Sequence, residues 1–309
     1  MMLNTATLYL ATVLIWGSTF FAITFQLGEV AAEVSIAYRF ALAALTLMVW
    51  CGVKRLPMRF KLEQHLWMMA QGLMLFGLNY LVVYWATADL SSGLISVIFS
   101  TIVLMNIFNS SLFFRKRPAP SMIAGAVLGL VGIALVFLPE VRDMDLGSAS
   151  MQGILLSLGS AYIASLGSMI STRNQQAKLP VVQTNAYGMA YGAIVLAVIA
   201  LIQGAPFTYE ATLAYTGSLI YLALFGSIIA FGSFLTLLGK IGPERASYAM
   251  VMFPIVGLSI STLFENYHWT LEAALGVGLV LMGNVLIIAS RDHLNRIFRW
   301  IRYPRRHTV

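Results

Sequence analysis

Apolar residues fall in ten long runs along this chain, over approximately 8–26, 34–51, 66–86, 91–112, 121–138, 151–172, 184–203, 213–236, 245–264 and 270–289. Each is close to the roughly 20 residues an α-helix needs to cross the hydrocarbon of a bilayer. Within the runs Leu, Ile, Val and Ala follow one another without the alternation a membrane β-strand requires. A helix also pairs its own backbone groups where lipid offers no partner. The first run has no basic residue ahead of it and no small-residue cleavage pattern behind it, so it reads as a retained helix. The pattern predicts an all-α membrane protein with ten transmembrane helices.

Composition agrees. Of 309 residues, 59% are hydrophobic and 10% charged, against about 25% charged in soluble globular chains. The single cysteine, Cys51, offers no intramolecular disulfide and no metal site. The net charge of +7 is explained by where the charges lie. With both termini placed in the cytoplasm, every one of the 19 Lys and Arg residues except Arg39 and Arg142 falls in a cytoplasmic segment or the tail. Basic residues near span ends set orientation, and nucleic acid is not needed to account for them. The basic tail, residues 291–309, is expected to lie along anionic lipid headgroups, with Ile297, Trp300 and Ile301 dipping in.

Shifting the chain against itself by 151 residues pairs "SSLFFRKRPAPSMIAGAVLGLVGIAL" with "STLFENYHWTLEAALGVGLVLMGNVL". Gly125 meets Gly276, Gly132 meets Gly283, and Phe113 meets Phe264. A unit of five spans is odd, so the second copy enters from the opposite side of the membrane. Inverted repeats of this kind are a recurring architecture of secondary transporters. The division this predicts is a first repeat over 1–147, a second over 148–290 and the tail beyond.

With "LIWGSTFFAI" in the first helix, "YRFALAAL" in the second and "PIVGLSISTLF" in the ninth, the chain resembles the drug/metabolite transporter superfamily in its EamA-type branch. The Gly-Glu pairs usual there after the fourth and ninth helices are replaced by Arg115-Lys116 and Asn266-Tyr267. The resemblance implies export of small metabolites, often amino acids or amphipathic compounds, across the bacterial inner membrane. It also implies a pathway between the third, fourth, eighth and ninth helices, helped by the first, second, sixth and seventh.

The residues hold little catalytic chemistry. His65, His268, His293 and His307 lie in loops or the tail, and no Asp or Glu lies in mid-span. A nucleophile with its base or a converging metal-ligand set cannot be assembled, so neither an enzyme nor a cofactor or metal site is expected. Glu33, Asp89 and Glu265 read as solvated residues at outer helix ends. Trp16 and Tyr162 are expected to line a cavity. Asn79, Tyr80, Asn106 and Asn284 put polar groups at depth, where the amides either bond between helices or face that cavity. Tyr84 and Trp85 read as interfacial belt residues. Tyr248 and Met252 complete the candidate substrate-binding set on the ninth helix. Pro254 cannot donate to the carbonyl of Met250, which makes it a static kink or a gating hinge. Gly125/Gly129 and Gly188/Gly192 are spaced for close helix packing.

Arg39 opens two readings. An arginine about 7 Å into a helix at 1.5 Å per residue can snorkel to the outer headgroups or pair with Asp89 or Glu265. Alternatively it faces the outer mouth of the cavity with Tyr38 and attracts a substrate anion. The sequence thus describes an inner-membrane carrier that works by alternating access on a small-molecule substrate, with lipid as its surroundings; a monomer fits this reading. A non-cycling channel or a multidrug efflux carrier are the alternatives.

The orientation has a direct test. Cysteine placed at Lys54 or Arg115 in a Cys51-free background should resist an impermeant external reagent in intact cells. Ready labelling would reverse the topology.

Overall fold

The computed structural model describes residues 4–115, 120–136, 138 and 149–288. Among them the chain is all helical. The helices are α1 (Thr5–Thr24), α2 (Ala32–Val53), α3 (Leu62–Asp89), α4 (Ser92–Phe114), α5 (Pro120–Val136), α6 (Ala149–Gln176), α7 (Val181–Gln203), α8 (Leu213–Ile241), α9 (243–264, in three pieces) and α10 (Leu271–Ile288). Seven described helices, α1 to α4 and α6 to α8, are long and apolar enough to cross a membrane. Shorter apolar helices fall within α5, α9 and α10. The basic tail and the 139–148 connection lie outside the described residues.

Local chemistry sets several boundaries. Asn4, Ser91 and Thr212 accept through their side chains from backbone N–H groups in the first turns of α1, α4 and α8. Gly204 and Gly242 end α7 and α8 with positive φ, 69° and 86°, which glycine adopts without strain. The outer surface is apolar, with Leu10, Leu14, Leu45, Val49 and Ile202 exposed, as a lipid-facing surface must be.

The packing repeats itself. α3 lies on α6 as α8 lies on α1, α3 on α7 as α8 on α2, and α4 on α6 as α9 on α1. α2 packs on α7, α4 on α9 and α5 on α10. Each pairing maps onto another, or onto itself, when each helix of the first five is exchanged with the one five places later.

Glycines show the chain directions at these contacts. A Cβ on Gly132 would lie 2.6 Å from the Gly276 carbonyl oxygen, and one on Gly283 would lie 2.5 Å from that of Gly125. Residue numbers rise along α5 as they fall along α10, so the two run antiparallel. The glycines equated by the sequence shift meet crosswise, as a two-fold contact requires. Gly72 and Gly188 likewise let the backbones of α3 and α7 touch.

Two kinds of irregularity occur in matching places. α3 carries a π-helical stretch over Leu73–Leu78 and α8 carries one over Leu222–Ile229. Their sequences, "LMLFGL" and "LALFGS", share a Leu-x-Leu-Phe-Gly core. α4 is interrupted at Ser100–Thr101, between Ser92–Phe99 and Ile102–Phe114. α9 is interrupted at Met252, between Tyr248–Val251 and Phe253–Phe264. Thr101 and Met252 are 151 residues apart, the shift found in the sequence. The causes differ. Ser100 and Thr101 donate through their hydroxyls to the carbonyls of Val97 and Ile98, at 2.7 and 2.6 Å, which competes with the helical ladder. In α9, Pro254 falls in the first turn of a new helix, where its missing N–H and fixed φ are accommodated.

The crosswise glycine contact yields a prediction. Gly132→Val should lower the melting temperature of the purified protein, because the added carbons meet backbone that cannot yield; overpacking of this kind costs about 1–3 kcal/mol. Gly278→Ala, whose added carbon meets nothing within 4 Å, should not. Equal melting of both variants would mean that the α5–α10 contact is not a close one.

Candidate functional site

α4 and α9 cross at their breaks. A Cβ on Gly93 would lie 2.8 Å from Ser261 Cβ, and one on Gly257 would lie 2.6 Å from Ser96 Cβ. Further along, Asn106 Nδ2 donates to Ser247 Oγ at 2.6 Å. This antiparallel register brings Thr101 and Met252 to the same level. Around that level lies a central cavity. α4 and α9 contribute Phe99, Ile102, Met250 and Phe253 to its wall, which are two pairs equated by the shift of 151, Phe99 with Met250 and Ile102 with Phe253. α3 contributes Leu75, Asn79, Tyr80 and Val83, and α8 contributes Phe231 and Phe234. α1 adds Trp16, Thr19, Phe20 and Ile23, where α6 adds only Ala164 and Ser168. The cavity is therefore bulky on one side and small on the other.

It is narrow: the centre of a water molecule can sweep only about 40 Å³ of it. A site needs roughly 10–15 Å³ of such space per water, so this one holds a few waters and must widen to admit a metabolite.

Aromatic rings set its shape. The Trp16 ring meets Phe231 at 4.6 Å and Phe234 at 5.1 Å between centroids. Its Nε1 donates to the Gly226 carbonyl at 3.0 Å, so the indole is fixed to the π-helical stretch of α8. Just beyond the corresponding stretch of α3, Ser160 Oγ of α6 donates to Asn79 Oδ1 at 2.7 Å. Asn106 joins a buried network in which Ser165 Oγ donates to its Oδ1 at 2.7 Å and Asn109 Nδ2 donates to Ser165 Oγ at 2.9 Å.

The candidate residues divide accordingly. Trp16, Asn79 and Tyr80 line the cavity. Asn106 is fully buried and serves helix contacts. Met252 sits at the break, and its neighbour Met250 faces the cavity. Tyr162 is 42% exposed on the outer face of α6, because its helical register turns it away from the bundle. Tyr38 packs against Phe207 and Tyr209 at the end of the bundle. The side chains of Tyr248 and Asn284 lie outside the described residues. Tyr84, expected in the interfacial belt, is fully buried, while Trp85 is exposed. No residue of α2 or α7 lines the cavity.

Arg39 does not snorkel, and among the described residues it pairs with no acid. Its relative exposure is 0%, so the guanidinium reaches no headgroup. The Glu265 carboxylate is engaged elsewhere, accepting from Ser92 Oγ at 2.7 Å, Ser92 N at 3.1 Å and Ser261 Oγ at 2.6 Å. This boundary residue therefore fastens α9 to the N-terminus of α4, where the helix dipole favours a carboxylate. Arg39 instead donates from Nε to Ser227 Oγ at 3.0 Å, and Ser227 in turn donates to the Leu222 carbonyl. Its Cζ lies 4.3 Å from the Tyr80 ring centroid and 5.1 Å from that of Phe40.

Sequence reasoning missed both π-helical stretches, the break in α4, and Phe231, Phe234 and Phe253 as lining. A signal for the stretches existed in the shared Leu-x-Leu-Phe-Gly, at a shift of 149 rather than 151 residues. The phenylalanines carried none, because apolar rings in apolar helices do not report which face they occupy.

The family model of the EamA-like transporter family matches residues 3–138 and 151–289. An uncharacterized transporter of Archaeoglobus fulgidus is 25% identical over 285 residues, covering 91% of this chain and 97% of its own. The uncharacterized inner membrane transporter YedA of Escherichia coli K12 is 27% identical over 286 residues, covering 91% and 89%. Protein PagO of Salmonella typhimurium is 18% identical, covering 92% and 93%. A solved structure described as a crystal structure of a protein superposes with a TM-score of 0.71 at 17% identity, over 94% of this chain and 98% of that one; this likeness concerns the fold alone.

Removing the Asn106 amide should loosen the α4–α6–α9 network without touching the cavity wall. Asn106→Val is expected to lower stability by about 0.6–2 kcal/mol, as for other interhelical hydrogen bonds in membranes, read as a small drop in melting temperature. An unchanged melting curve would mean that the network adds nothing to stability.

Proposed function

The chain belongs to the EamA-like transporter family, and from that premise we propose that it is a secondary carrier of the inner membrane that exports small amphipathic metabolites, amino acids or related compounds among them, by alternating access. The observation that carries this reading is the central cavity at the crossing of the α4 and α9 breaks. A site lined by equivalent residues of two antiparallel helices looks alike from both membrane faces. If one half adopts the conformation of the other, the opening passes from one side to the other around a fixed site.

In this reading the ten helices cross the membrane as two inverted five-helix repeats, 1–147 and 148–290, with both termini in the cytoplasm and the basic tail of 291–309 on anionic lipid. The ten apolar runs, the crosswise α5–α10 glycines and the bias of basic residues support it. The inner-membrane placement is supported by the relative named as such in Escherichia coli. The Glu265 contacts hold one end of the α4–α9 pair and the Asn106–Ser247 bond holds the other, so alternate opening would release one while keeping the other. The breaks at Thr101 and Met252, with Pro254 just beyond, are the flexible points between them.

In proteoliposomes, uptake of a transported compound should saturate and be accelerated by the same compound inside. Pro254→Ala should slow this exchange several-fold while leaving the fold intact, since α4 keeps its break without a proline. Flux that is linear in concentration and shows no counterflow would replace the carrier with a channel. Unchanged exchange in the variant would reduce Pro254 to a packing feature.

A further inference from the structure

We propose that Arg39 anchors the carboxylate of a monoanionic substrate with an apolar or aromatic body, through Nη1, Nη2 and the Tyr84 hydroxyl, and that the site disfavours an α-ammonium group. This rests on the carrier reading for the role of the central cavity and narrows its substrates from amphipathic metabolites in general to monocarboxylates, setting zwitterionic amino acids aside.

The first observation is an unfinished set of hydrogen bonds. A guanidinium has five N–H donors, and at Arg39 only Nε–H is satisfied, by Ser227. Among the described residues Nη1, Nη2 and the Tyr84 hydroxyl make no hydrogen bond of good geometry; the Tyr80 and Tyr84 hydroxyls lie close enough to interact with the guanidinium but do not complete one. The Arg39 and Tyr84 side chains are fully buried. An unpaired buried donor is costly, more so when charged, and such groups in native structures call for an explanation. The Tyr80 and Phe40 rings supply cation–π attraction, but they leave the fork of N–H groups open. That planar fork matches a carboxylate in a bidentate pair.

The second observation is position. Tyr80, against which the guanidinium lies, is also part of the cavity wall. Arg39 Nη2 would lie 3.2 Å from a Cβ on Gly226, and the same Cβ would lie 2.9 Å from Cγ2 of Thr19, which lines the cavity. One layer of atoms therefore separates fork from cavity. Gly226 and Ser227 belong to the π-helical stretch of α8, a form often found at functional sites. A small shift of that stretch or of the Tyr80 ring joins the guanidinium to the cavity, and an incoming anion supplies the missing partner.

The third observation concerns charge. Among the described residues no Asp, Glu, Lys, Arg or His lines the cavity. The hydroxyl protons of Thr19 and Ser168 are committed to the Trp16 and Ala164 carbonyls and Asn79 Oδ1 accepts from Ser160, so these groups offer an ammonium only neutral lone pairs. Among the described residues nothing anionic awaits an ammonium, and with the Tyr80 face taken by Arg39 only the Trp16 and Phe rings of the wall are left for cation–π contact. One fixed positive charge balances one negative charge, so a monocarboxylate is matched where a zwitterion or a dianion leaves a charge over.

Purified protein is titrated with probes that share a phenyl body: phenylacetate, phenylacetamide, phenethylamine, phenylalanine and phenyl phosphate. Phenylacetate should bind at least about tenfold more tightly than the others, the scale of charge-assisted hydrogen bonds. Arg39→Gln should erase that preference and Arg39→Lys should lose most of it. Tyr84→Phe should weaken phenylacetate several-fold and phenylacetamide clearly less, because a charged acceptor loses more than a neutral carbonyl. If Arg39→Gln fails to fold, the probe series on the parent and Tyr84→Phe decide. No binding of phenylacetate, no preference for it over the amide, or an unaffected Tyr84→Phe overturns the anchor. Counterflow separates the two readings: exchange of phenylalanine or phenethylamine with phenylacetate ignored keeps the carrier and removes the anchor. Tight binding of phenylacetate without flux of any probe keeps the anchor and removes the carrier.

Discussion

Inside a bilayer a backbone that leaves the α-helical ladder has to find its hydrogen bonds within the protein, and among the described residues the spans leave the ladder at five places. Two are the π-helical stretches of α3 and α8, one is the break of α4, and two are the interruptions of α9 at Ser247 and Met252. They pack on one another or on α1, α2, α6 and α7, and there the carbonyl of Gly226 and the hydroxyls of Ser100, Thr101 and Ser227 are satisfied. The cavity exists because these irregular segments converge. Regular helices at the same separation would interdigitate their side chains and leave little room between them.

Small residues make that convergence possible. Gly72 against Gly188, Gly93 against Ser261, and Gly132 against Gly276 bring backbones together where any larger side chain would hold them apart. Without a hydrophobic driving force between helices in lipid, close packing and interhelical hydrogen bonds are what hold such a bundle. The buried amides and serines at Asn79–Ser160 and Asn106–Ser165–Asn109 complete it. Two-fold repetition then places each irregularity opposite its counterpart, so a cavity built at the crossing is shared by both halves.

The halves have diverged within this frame. Trp16 and Phe20 occupy one wall where Ala164 and Ser168 occupy the other. Arg39 is a single cation with no counterpart on α7, where Gly188 and Gly192 serve packing against α3. A symmetric scaffold suits exchange between two conformations, and asymmetric side chains suit recognition of one chemical class. The two demands are met by different residues.

The runs of apolar residues were legible because burial in lipid acts on every residue of a span alike. The place of each described helix therefore follows from hydropathy, though not its ends, since α3 begins at Leu62 and α8 runs to Ile241, beyond their apolar runs; the repeat follows from Gly125, Gly132, Gly276 and Gly283. Trp16, Asn79 and Tyr80 could be picked out because polar or amphipathic side chains are out of place at mid-span. Tyr162 met the same criterion and faces outward, since in a helix apolar on all sides nothing in the sequence marks which face meets the bundle. Tyr84 and Arg39 sit near helix ends, where hydropathy permits either the interface or the interior. Only the packing of α2 against α3 and α8 buried both, because which groups surround a side chain depends on helices distant in sequence. By itself the sequence determined an all-helical membrane chain with two related halves; the tertiary structure decided where the halves touch, which faces line the cavity and which buried cation was left with its hydrogen bonds unmade.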